Sequence, residues 1–228
     1  KNISNDLQKV KSVNKTIFDS SLKKIKQNFL VKKDVFYSFS KNFKLNLKLK
    51  ELRKYKKFKR IVVIGFGGSI LGTEAIHNFL QKKSKKEMIF VNNLDFEMIH
   101  KVNNIKNLKN SLFIIISKSG NTVEVLSIIN FLKSKSKFNQ NNTIVITENK
   151  KSQLYIFAKK LKIKTIFHRR YIGGRYSIFS ETAIIPSYLM GIDILKFRKN
   201  ILNFLQKNKS ILIKNLINLS KIYNSKKI

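Results

Sequence analysis

Apolar positions along the chain change their period near residue 60. Before it, Ile3, Leu7, Val10, Ile17, Leu22, Ile25 and Phe29 keep approximate helical spacing with lysines between them, which predicts a helix over 1–30. A second covering helix is expected over 45–58. From 61 onward, short continuous apolar runs alternate with longer helical stretches. The runs are IVVIGF (61–66), MIFVN (88–92), SLFIIIS (111–117), TIVIT (143–147) and KTIFH (164–168). Helical patterns separate them at about 70–82, 95–106, 121–134 and 151–161. Strands with no polar face must be covered on both sides, which is the condition of a parallel sheet between helix layers. Five such units joined by right-handed crossovers give an α/β fold, a doubly wound five-stranded parallel sheet. Further helices are expected at 178–190, 194–206 and 210–223, with Gly191 just past the end of one and Asp193 capping the next. The chain thus divides into an N-terminal helical segment (1–44), a central α/β domain (45–192) and the helical start of a second region (193–228).

Composition narrows the chemistry. The 228 residues include no cysteine, which excludes disulfides, thiolate metal sites and a catalytic thiol. No apolar run approaches the ~20 residues that span a bilayer. The first residues, KNISNDLQKVKSVNK, hold no apolar core of a secretory signal. A formal charge of +36 invites a nucleic-acid reading. The abundant Lys, Asn, Ile, Phe and Tyr, however, can all be encoded with A and T alone, and the lysines spread over most expected helices and loops. The densest run, RKYKKFKR (53–60), reads as a solvated helix end whose cations suit the macrodipole. No specific nucleic-acid partner and no membrane partner are expected, only weak, salt-sensitive binding to polyanions.

Two strand exits carry the candidate chemistry. GFGGSILG (65–72) follows the first strand, where glycines let backbone N–H groups approach an anion at the start of a helix. It is neither G-x-G-x-x-G, since Ile70 takes the third glycine's place, nor a P-loop, nor a nucleophile elbow. SKSGNTVEV (117–125) follows the third strand and supplies the hydroxyls of Ser117, Ser119 and Thr122 around Gly120. Hydroxyls and free amides at a helix start cradle phosphate oxygens. In the sheet order 2-1-3-4-5 these two strands are neighbours, so both loops open on one crevice at the switch point. A third stretch, YIGGRYSIFS (171–180), sets Arg175 in a glycine turn within reach of the same strand-end rim, where a guanidinium can stabilise a developing oxyanion; by spacing alone, an arginine paired with a surface carboxylate is the favoured reading.

In order and spacing, GFGGSILG, SKSGNTVEV and GGRYSIFSETAIIPSYLMGID resemble the motifs of glucose-6-phosphate isomerases; the first two also mark the wider group of sugar-isomerase (SIS) domains. The resemblance covers about residues 45–195. It implies an aldose–ketose isomerase that interconverts glucose 6-phosphate and fructose 6-phosphate through a cis-enediol, without metal or organic cofactor, as a cytoplasmic homodimer in glycolysis and gluconeogenesis. It implies substrate contacts at Gly68 and Ser69, a phosphate loop at Ser117, Lys118, Ser119 and Thr122, and an enediolate-stabilising turn at Gly174 and Arg175. Glu124 matches a carboxylate beside the catalytic histidine. The proton-transferring glutamate and the ring-opening histidine and lysine are expected downstream of residue 228, and this portion alone is expected to bind sugar phosphate without turning it over. Glu181 lies too close to the turn to be the base. His77, His100 and His168 do not match the catalytic histidine and are expected to be structural or surface residues. The alternative is a non-catalytic SIS module that binds a sugar phosphate.

Overall fold

The computed structural model describes residues 16, 19, 20, 23, 24, 27, 28, 30–40, 42–199, 204 and 207–225. The expected helix over 1–30 and the end of that over 194–206 lie largely outside them. Two compact units are distinguished, Phe43–Phe197 and a second made of Lys1–Asn42 with Arg198–Ile228. In the second unit Asp34 caps a short 3-10 helix, Val35–Phe39, and Arg198 donates to the carbonyls of Ser38 and Ser40 at 2.9 and 3.3 Å. The same unit holds the long helix Lys209–Ser225.

The larger unit is a five-stranded, all-parallel sheet in the order β2-β1-β3-β4-β5. Its strands are β1 (Arg60–Ile64), β2 (Glu87–Val91), β3 (Ser111–Ile116), β4 (Thr143–Glu148) and β5 (Lys164–His168). Between and after them run α1 (Leu71–Phe79), α2 (Phe96–Asn103), α3 (Val123–Lys133), α4 (Gln153–Lys160), α5 (Glu181–Leu189) and α6 (Ile194–Arg198). Each expected strand is present within a residue or two. The central strand β3 is buried over its whole length. Alternate residues feed two cores, as a period of two requires. Ile61, Val63, Leu112, Ile114 and Ile116 join Ile184, Ile185 and Leu189 of α5 on one face. Val62, Ile64, Phe113 and Ile115 meet Val102 of α2, Ile128 and Leu132 of α3 and Leu154 of α4 on the other.

The expected helix over 45–58 is instead a nine-residue 3-10 helix, Leu49–Lys57. Its apolar residues recur every third position: Leu49, Leu52, Tyr55 and Phe58 all pack on the sheet. Three residues per turn stacks these side chains in one row, which an α-helix would splay. The aromatics of RKYKKFKR therefore face inward and offer no platform for stacking bases. Tyr55 is buried, donates to the carbonyl of Gln140 at 3.1 Å, and has its phenol pushed up to about 12 by burial. Lys86 closes the helix end by donating to the carbonyls of Lys56 and Phe58 at 2.7 and 2.6 Å.

Helix α5 contains Pro186, which has no N–H to offer the carbonyl of Thr182. The buried hydroxyl of Thr73 on α1 takes that carbonyl at 3.1 Å, so the proline's missing bond becomes a tie between two helices. The helix ends as its sequence predicts. Gly191 has φ +102°, its N–H and that of Ile192 return to the carbonyls of Tyr188 and Ser187, and Asp193 accepts from the amide of Lys196 at 3.0 Å. Among the described residues no helix is long and apolar enough to cross a membrane.

Candidate functional site

The first glycine loop leaves β1 beside the end of β3. A Cβ on Gly65 would sit 3.2 Å from the carbonyl oxygen of Ile116. Gly67 takes φ +53°, and Gly67–Ser69 form one 3-10 turn before α1. The backbone of Gly68 lies directly on the GGRYS turn: a Cβ there would fall 2.4 Å from the carbonyl carbon of Gly174 and 2.6 Å from the nitrogen of Arg175. Only glycine permits that approach. Ser177 fastens it, its hydroxyl donating to the carbonyl of Gly174 at 2.6 Å with that of Gly68 at 3.2 Å.

The hydroxyl loop follows β3. Ser117 continues the ladder through its N–H to the carbonyl of Ile146, and its hydroxyl accepts from the amide of Gly120 at 3.0 Å. Gly120 turns the chain with φ +68°, and a Cβ there would overlap the Ser152 hydroxyl at 2.1 Å. Thr122 is the N-cap residue of α3 but makes no side-chain cap bond. Its hydroxyl instead meets those of Ser117 and Ser119, at 2.8 and 3.2 Å. The first-turn amides of α3 are thus left without a side-chain acceptor, at the positive end of an eleven-residue helix. Amides of the next helix are claimed already, Gln153 by the Asn121 side chain and Leu154 by the Gly120 carbonyl.

The two loops do share one rim. Pairing of β1 with β3 sets their exits side by side, and α1 and α3 depart on opposite faces of the sheet. The third loop closes the group. Lys118 donates to the carbonyl of Arg170 at 2.8 Å and lies 3.5 Å from the Glu148 carboxylate. Arg175 is exposed and its guanidinium has no ion pair among the described residues. Glu124 stands exposed on the first turn of α3. The rim thus combines clustered hydroxyls, open amides and two cations, a set that receives an oxyanion.

Several contacts here were not anticipated from the sequence. Ser177 has a local signal, a hydroxyl three residues after the glycine whose carbonyl it takes. The clamp of Glu148 on Lys118 has none. Glu181 is fully buried, accepting from Arg169 and from the backbone amide of Asn46 at 3.0 Å. His77 and His100 lie on α1 and α2, their rings beside Phe90 and Phe96.

His168 ends β5 at 4% exposure. Its pKa is lowered from 6.5 to about 4, first by burial, then by Lys118 and Arg169 against the opposing pull of Glu148. Unfolded, the ring takes its proton near pH 6.5; folded, only near 4. Between these values the unfolded chain binds more protons, so this stability is complete above pH 6.5 and is lost as pH falls through 4. The expected slope is about 1.4 kcal/mol per pH unit. Urea unfolding across pH 4–7 checks it: the parent should lose stability faster than His168→Phe by one proton's worth of slope.

Comparison with known proteins agrees with this geometry. The phosphoglucose isomerase family model matches residues 34–205. The glucose-6-phosphate isomerase of Campylobacter jejuni is 33% identical over 140 residues, covering 59% of this chain and 34% of the relative. That of Borreliella burgdorferi strain ZS7 is 30% identical over 194 residues, covering 80% of this chain and 34% of the relative. The chain therefore spans about a third of the length of these curated relatives. Among solved structures, a glucose-6-phosphate isomerase from Chlamydia trachomatis superposes with a TM-score of 0.52 at 25% identity, over 63% of this chain and 31% of that one. A hypothetical protein from Thermus thermophilus, TT0462, shares the fold with a TM-score of 0.65 at 21% identity, over 86% and 50%. With three-quarters of its length matched by that family model, the chain belongs to the phosphoglucose isomerases.

Proposed function

We propose that this chain supplies the phosphate anchor and the enediolate-stabilising arginine for the interconversion of glucose 6-phosphate and fructose 6-phosphate. The observation that carries the reading is the gathering of 65–70 and 117–122 at the C-terminal ends of the neighbouring strands β1 and β3, with 173–177 packed on the first of these loops. The phosphoryl group sits among Ser117, Ser119 and Thr122 and against the α3 amides, with Lys118 as its cation. Gly68, Ser69 and Gly174 present backbone to the sugar. Arg175 faces the C1–C2 end, where moving a proton between the two carbons makes an enediolate that a guanidinium stabilises. Glu124 is the carboxylate that orients a catalytic histidine. The matching setting is a cytoplasmic homodimer.

Lys118 bears two loads in this reading. Glu148 and the Arg170 carbonyl hold its ammonium at the rim, and an arriving phosphate shares that charge.

Calorimetric titration of the chain with fructose 6-phosphate tests the reading. Saturable binding at micromolar to millimolar affinity is expected. Thr122→Ala removes the hydroxyl at which Ser117 and Ser119 converge and should weaken binding about tenfold. A folded Thr122→Ala protein with parental affinity takes this residue out of the site. Absence of any binding by the parent chain removes the reading altogether.

A further inference from the structure

Resting on that reading of the crevice, we infer that His168 is a positioning residue for the sugar end of the site, acting on Arg175 through a one-way chain of hydrogen bonds. His168 Nε2 lies 3.1 Å from the Ser180 hydroxyl. The single proton of that hydroxyl is committed to the carbonyl of Ser177 at 2.7 Å. Ser180 must therefore accept from the histidine, which fixes the Nε2–H tautomer. The Ser177 carbonyl also receives the Ser180 amide at 2.9 Å and the Thr182 hydroxyl at 3.1 Å. Ser177 in turn spends its own hydroxyl proton on Gly174, with the Gly68 carbonyl close by. Every donor points the same way, from the end of β5 toward the contact between the two glycine turns.

The far end of this chain is the residue before Arg175. That guanidinium has no ion pair among the described residues, so its place is set by the turn that carries it. At the near end, Nδ1 of His168 is buried without a partner. A second proton there would make an unpaired buried donor, close to Lys118 and Arg169 and opposed only by Glu148. The ring is thus held neutral and in one tautomer. A residue that only filled space would be better replaced by phenylalanine, which leaves no orphaned nitrogen. What histidine adds at this position is the directed N–H.

Two variants separate these roles. His168→Phe keeps an aromatic ring, somewhat larger, and loses the donor; His168→Gln keeps an N–H at comparable reach. Titrations of the chain use inorganic phosphate and fructose 6-phosphate as probes. His168→Phe should bind inorganic phosphate within about twofold of the parent but fructose 6-phosphate about fivefold more weakly, and His168→Gln should restore the second. Ser180→Ala, which cuts the next link, should repeat the phenylalanine pattern if that variant fails to fold. Equal loss of both probes, no loss, or failure of a folded glutamine variant to rescue overturns the inference. Amide NMR without ligand judges it independently of the parent's binding. His168→Phe should shift Gly68, Gly174 and Arg175 while sparing Ser117–Thr122, and glutamine should reverse this. If the parent binds neither probe, the functional reading falls, and these amide shifts alone decide whether His168 sets the turn.

Discussion

Gly68→Ala is expected to lower fructose 6-phosphate affinity at least about tenfold and to cost about 1–3 kcal/mol of stability. The added methyl would lie 2.4, 2.6 and 2.8 Å from the carbon of Gly174, the nitrogen of Arg175 and the oxygen of Gly174. These are backbone atoms and cannot rotate aside, so the two turns must part. Parting them breaks the seat of Ser177 and moves Arg175, while the loop at 117–122 is left in place. Binding of inorganic phosphate should therefore survive better than binding of the sugar. Gly173→Ala is the control. Gly173 has φ −66°, and its new methyl would touch only the Tyr176 ring at 3.4 Å. Thermal unfolding and calorimetry on both variants check the pair. Parental sugar affinity in Gly68→Ala would detach this contact from the site.

Arg169→Ala is expected to destabilise the chain by about 3–5 kcal/mol, because it leaves a buried carboxylate without its cation. Glu181 is 0% exposed, and its second oxygen already lacks a partner. Arg169 also donates to the carbonyl of Lys44 and lies 4.4 Å over the Phe43 ring, so it fastens the segment before the 3-10 helix to the start of α5. Replacing the pair together, Arg169→Met with Glu181→Leu, should recover part of the loss, since no charge is left buried, while the Asn46 amide and the Lys44 carbonyl lose their partners. Urea unfolding midpoints measure both. A loss below about 1 kcal/mol in the single variant would mean that the pair behaves as a solvated one.

The parts that could be read from the sequence are those with a local cause. Ile, Val and Phe in unbroken runs give the buried strands. Glycine and hydroxyl residues at strand exits give the loops, and Gly191 with Asp193 gives one helix end and the next start. The 3-10 helix also had a local signal, the threefold spacing of Leu49, Leu52, Tyr55 and Phe58, hidden by its likeness to helical periodicity. The rest depends on partners far apart in the chain. Asn46 meets Glu181 across 135 residues, Thr73 meets Thr182 across 109, and Lys118 meets Arg170 across 52. Such pairs are fixed by sheet order and helix packing, which local pattern does not carry. In a lysine-rich chain, charge alone could not single out Lys118; only the resemblance to the isomerase phosphate loop did.

The most direct test of a shared crevice is an amide NMR titration of the chain with fructose 6-phosphate at physiological salt. Shifts should saturate together with one affinity and cluster at 65–70, 117–124 and 173–177. Shifts confined to other surfaces, or spread over the lysines without saturation, would contradict a sugar-phosphate site at these strand exits.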